Sequence, residues 1–107
     1  MSKIISTILL SAVTTVSAGA TTAVNKAKQT FALVGSTSSG AGAATVNVEA
    51  SNDGTNWVVL AIIGLTLSTT AAVDGFATDA AWLYVRGRVT AISGTGAAVT
   101  LTMGSLT

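Results

Sequence analysis

Along much of this chain apolar and polar residues alternate with a period of two, the repeat of a β-strand with one buried face. In "ATVNVEAS" Val46, Val48 and Ala50 point one way, and Thr45, Asn47, Glu49 and Ser51 the other. "AWLYVRGRVTAI" sets Leu83, Val85, Val89 and Ala91 against Trp82, Tyr84, Arg86, Arg88 and Thr90. "AAVTLTM" alternates Val99, Leu101 and Met103 with Thr100 and Thr102, and upstream Gln29, Phe31 and Leu33 share one side. One run departs from the pattern. Trp57 to Ile63, "WVVLAII", is continuously apolar, as expected of a strand covered on both faces or lying at a subunit contact.

The punctuation between these runs is Gly, Ser, Asn and Asp. Asn52-Asp53-Gly54 predicts a turn, since Asn and Asp tolerate positive φ and bond their own backbone. Asp74-Gly75 predicts a second turn with Phe76 plugged beneath it, "STSSGAG" (Ser36 to Gly42) a flexible loop, and "SGTG" (Ser93 to Gly96) a reversal. No helical period occurs. Six to eight short strands predict an all-β fold, a single-domain antiparallel β-sandwich or jelly roll.

Residues 21–107 are expected to form that sandwich, and residues 1–20 an extended N-terminal arm or strand. "MSKIISTILLSAVTTVSAGA" has the outline of a signal peptide, but Ser6, Thr7 and Ser11 interrupt its apolar centre. The β-branched residues of Ile4 to Val16 favour extended backbone, and an arm reaching a neighbour's sheet edge is the preferred reading. As an arm, it would be removable without unfolding the domain. No stretch approaches the roughly 18 consecutive apolar residues of a membrane span, so no membrane partner is expected.

Composition narrows the function. Five basic and four acidic residues leave a net charge of +1, too sparse a footprint for nucleic acid. With no cysteine and no histidine, the usual disulfide, zinc, redox and nucleophile–base arrangements have no residues to use. Asp74 and Asp79 could join loop carbonyls around calcium, but two carboxylates make a poor site. Neither catalysis, nor a cofactor, nor a bound metal is expected. Only 8% of residues are charged, against about 25% in an ordinary soluble domain. An uncharged surface promotes association, so the working state is expected to be an assembly. The chain has no proline to guard its strand edges, and a neighbouring subunit is the natural cover.

Two surfaces are candidates for partner contacts. The first is the N-terminal segment, through Ile4, Ile5, Ile8, Leu10, Val13 and Val16. The second is the face carrying Trp82, Tyr84, Arg86 and Arg88. Arg86 and Arg88 could fork onto a partner's carboxylate or phosphate, or pair across strands with Glu49 inside the fold. Trp57, Trp82 and Tyr84 could stack on a sugar, but aromatics in strands more often serve a core or interface.

"SNDGTNWVVL" with "WLYVRGRVTAI", about a fifth of the chain, resembles discoidin-like carbohydrate-binding β-sandwiches. A longer series resembles small virion structural proteins of tailed bacteriophages. It runs through "VNVEASNDGTNWVVL" and "DGFATDAAWLYVRGRVTAISGTGAAVTLTMG", most of residues 45–104. That resemblance implies a β-sandwich subunit that coats or stabilises the particle, a capsid decoration or cement protein at the capsid surface. Its implied partners are the major capsid protein, other virion proteins and further copies of itself, with a trimer the expected homo-oligomer. A tail, tail-tip or connector subunit is the alternative within the virion, and a secreted carbohydrate-binding module the alternative outside it.

Overall fold

The computed structural model describes residues 4–24, 28–79 and 82–106. Its strands form two sheets, and every pairing is antiparallel. In the first sheet, β1 (Ile4–Val13) lies at one edge and pairs with β9 (Ala98–Leu106). Next comes β4 (Gln29–Ser36), and β7 (Ala72–Thr78) forms the other edge. In the second, the two-residue strands β2 (Ser17–Ala18) and β3 (Thr22–Ala23) both pair with β8 (Tyr84–Thr95). Beyond β8 lie β5 (Ser39–Ser51) and the edge strand β6 (Val58–Leu67).

That order is the signature of a chain folded as one long hairpin and then rolled up. The first strand pairs with the last, β2 and β3 with β8, β4 with β7, and β5 with β6. Rolling adds the contacts β9–β4 and β8–β5 that complete each sheet. The architecture is therefore a jelly-roll β-sandwich, one of the two outcomes the alternation predicted.

Between the sheets the predicted inward faces meet. Phe31, Leu33, Val99, Leu101 and Met103 face Val46, Val48, Leu65, Leu67, Val85 and Val89, all buried. Each such side chain contributes about 1.5–3 kcal/mol when fully buried. Gly87 sits on the inner side of β8 with no side chain, and a Cβ there would lie 2.6 Å from Leu101 and 2.9 Å from Leu10. The bare position lets those two leucines close over it. Nothing in the alternation marks this role, because a glycine inside a strand reads only as a gap.

Three expectations change. The flexible loop over 36–42 is only Thr37 and Ser38, and β5 already begins at Ser39. Its small residues serve close approach, since a Cβ on Gly42 would collide with the Ser93 carbonyl oxygen. Asp74-Gly75 is not a turn but the middle of β7, where Gly75 lies opposite Ala32 and a Cβ would collide with the Phe31 carbonyl oxygen. Phe76 accordingly stacks on its cross-strand partner Phe31, ring centroids 4.8 Å apart, instead of plugging a loop. Finally, of the arm and strand readings of the N-terminal segment, the structure contains the strand. Ile4–Val13 pairs with the chain's own β9, and Leu9 and Leu10 enter the core.

Candidate interaction surfaces

The molecule is a slab with extents of 42 × 32 × 17 Å, and its two broad faces are the outer sides of the two sheets. They differ in chemistry.

On the outer side of the β5/β8 sheet, the turn after β5 is built from its own residues. The Ser51 hydroxyl donates to Asp53 Oδ1 (2.9 Å) and accepts from the Asp53 and Gly54 amides. Asp53 Oδ1 also accepts from the Thr55 and Asn56 amides, each at 2.8 Å, and Oδ2 from Asn56 Nδ2 at 2.8 Å. Gly54 takes φ of +76°, which closes the turn. Bonds from the Asn56 amide first, then the Thr55 amide, the Asn56 side chain and the Ser51 hydroxyl hold the Asp53 carboxyl far below the usual carboxylate range. Its acceptor capacity is thus spent on shaping the loop.

The tryptophan that follows has an equally local task. Arg86 Nε donates to Glu49 Oε1 at 2.7 Å, and the Arg86 guanidinium lies over the Trp57 ring, 4.1 Å from its centroid. Trp57, Arg86 and Glu49 form a stack in which the carboxylate, its side chain 5% exposed, is the innermost member. Cross-strand register requires it: Glu49 is opposite Arg86, and the turn returns Trp57 beside them. This is the internal pairing anticipated for Arg86. Arg88, two residues on, stays exposed opposite Asn47.

The outer side of the β4/β9 sheet carries no charged residue among those described. Its cross-strand rows are Ser6, Gly104, Thr30 and Ala77; Ile8, Thr102, Ala32 and Gly75; and Thr100, Val34 and Val73. Lys28 and Asp79 lie just beyond the ends of β4 and β7. Several hydroxyls turn back onto backbone: Thr100 Oγ1 accepts from the Ala12 amide at 3.0 Å, and Thr102 Oγ1 donates to the Ala32 carbonyl at 3.4 Å. Methyl groups of Thr, Ala and Val, with Ile8 at 61% exposure, make up most of this face.

The candidate contact residues therefore separate. Ile8 belongs to the uncharged face and Val16 is exposed beyond the end of β1, whereas Leu10 is buried in the core and Val13 is half-buried against it. The side chains of Ile4 and Ile5 lie outside the described residues. Tyr84, half-buried, lies beside the Gly54 turn on the opposite broad face, with Arg86 and Arg88. Trp82 precedes β8 and rests against the core. Missing from the predicted set were Val34 and Val73, which complete the uncharged face. The outward parity of Val34 was legible from Phe31 and Leu33, but Val73 adjoined a predicted turn, and only β7 brings the two side by side.

No protein-family model and no curated protein matches the chain. Among solved structures, the fold is similar to that of the PBSX exported protein XepA, with a TM-score of 0.57 and 13% sequence identity. The match covers 94% of this chain but 36% of that one, so this chain spans about a third of its length. The likeness is one of fold.

Proposed function

We propose that the chain is a structural subunit of a tailed-phage virion, a decoration or cement protein that binds the outside of an assembled head and works in many copies. The observation that carries this reading is the broad, uncharged face of β1, β9, β4 and β7. A flat sheet surface of Ile8, Ala32, Val34, Val73 and threonine methyls suits close contact with a large partner and gives a free monomer little hydration. The jelly roll is a fold used by viral capsid domains, and XepA, about a third of which has a similar fold, is a phage-derived protein. Both support the assignment by analogy of fold. The mechanism is mass action: a subunit that binds the intact shell and not the loosened one shifts the balance toward the intact particle.

The test is sedimentation of particles from the native source, with this chain quantified by mass spectrometry against the most abundant shell protein. Near-stoichiometric copies on intact particles are expected, and Ala32→Glu, which places a charge in the centre of the face, should abolish rebinding of the purified protein. A few copies per particle would instead assign a tail or connector position. A chain that stays free of every particle would overturn the virion reading and leave the carbohydrate-binding module ahead.

A further inference from the structure

Among the described residues the sandwich has four open strand edges, and three of them are guarded against pairing. β1 is broken by register shifts between Ile8 and Leu10 and between Leu10 and Val13, with Ala12 at φ +46° between them. β2 and β3 are two residues each. β7 carries Asp74 opposite the buried Leu33, a charge that an added strand would have to bury. Short strands, bulges and inward charges are the common devices that keep edges apart.

The edge of β6 has no such device beyond one irregularity near its start, between the pairs of Val48 and Glu49. It runs for ten residues, "VVLAIIGLTL", with no charge and no proline. Among the described residues nothing pairs with its outer edge, and because Val58, Val59 and Ile62 are exposed, the apolar run that began at Trp57 is not covered on both faces. Of the eight large apolar side chains exposed among the described residues, Val58, Val59 and Ile62 are on β6, and Val73 is on β7, the edge strand next to it.

We propose that the free edge of β6 pairs with β6 of a second copy, antiparallel, about a two-fold axis at Ile63. It rests on the multi-copy half of the reading above and not on the shell. The strand is complementary to itself in two respects. Identical uncharged strands meet without like-charge repulsion. On the outward face Ile62 is 67% exposed, while two residues along a Cβ on Gly64 would meet nothing within 4 Å. With the axis at Ile63, Ile62 of each copy lies opposite Gly64 of the other, a knob beside an open gap, at the ~4.5–5.5 Å Cβ spacing of directly opposed residues. The β5/β8 sheets of the two copies then join into one continuous sheet by backbone bonds, the mode of strand addition. Such an interface is isologous and closes at two copies, so a trimer would need a different contact.

The experiment uses the full chain in solution, without particles. Light scattering coupled to size exclusion should show a dimer at micromolar concentration. Ile62→Lys should keep the circular dichroism of the wild type and raise the dimer dissociation constant by roughly a hundredfold or more, because two lysines would face the same joint. Since the chain has no cysteine, the register has its own readout. Ile62→Cys mixed with Gly64→Cys should crosslink efficiently with a short thiol-to-thiol reagent, and each variant alone much less. A monomeric wild type overturns the proposal, and if that monomer loses particle binding in Ile62→Lys, the edge takes a strand of the shell instead. Equal crosslinking of each variant with itself overturns the register. A dimer that binds no particle would sink the virion reading while leaving this pairing intact.

Discussion

The two broad faces of this sandwich are made of similar alternating strands, yet one holds an ion pair and the other carries no charge among the described residues. On the β5/β8 side Glu49, Arg86 and Trp57 satisfy one another, so the charges there stabilise the fold and leave little for a partner beyond Arg88. On the β4/β9 side small and β-branched residues meet solvent with their hydroxyls partly turned inward. Among the described residues, Glu49, Arg86 and Asp53 spend their charge on internal order. The surface without it is the one suited to contact.

That contrast can be broken at several points. The largest effect is expected from deleting residues 1–13. Removing β1 takes Leu9 and Leu10 from the core, and losses of about 2–5 kcal/mol for each would consume most of a stability near 5–15 kcal/mol. The truncated chain should be unfolded or molten by circular dichroism and thermal melting, whereas a dispensable arm would leave a sharp transition.

Next comes Arg86→Ala, which leaves Glu49 buried without its cation and should cost about 3–5 kcal/mol in denaturant unfolding. Arg88→Ala, from the same strand face but exposed, should stay within about 0.5 kcal/mol. Equal effects would mean that the stack does not set the character of this face. Gly87→Ala should cost about 1–3 kcal/mol by forcing Leu10 and Leu101 apart.

The smallest effect concerns Asp53. Its carboxyl is held below its ordinary 3.8 in the folded chain, so its contribution is complete above that value and fades as pH falls through the folded value. Unfolding curves from roughly pH 5 down to pH 2 should show the stability gap between wild type and Asp53→Asn narrowing with acidification. A constant gap would mean that the turn draws nothing from the ionised form.

Much of this protein is determined by sequence alone, because strand parity is a local property. The inward sets Val46–Val48–Ala50, Phe31–Leu33 and Val99–Leu101–Met103 were legible from a period of two, as was the Asn52-Asp53-Gly54 turn from the preferences of its residues. The same reasoning failed where a dipeptide serves two purposes. Asp53-Gly54 closes a turn and Asp74-Gly75 lies within a strand, and only the neighbour supplied by β4 distinguishes them. Tertiary structure alone decided which strands are edges. It placed "WVVLAII" at an open margin, folded the N-terminal segment onto β9, and gathered Ile8, Val34 and Val73 on one face. Pairing partners far apart in the chain are chosen by the whole set of contacts at once, and no window of neighbouring residues contains that information.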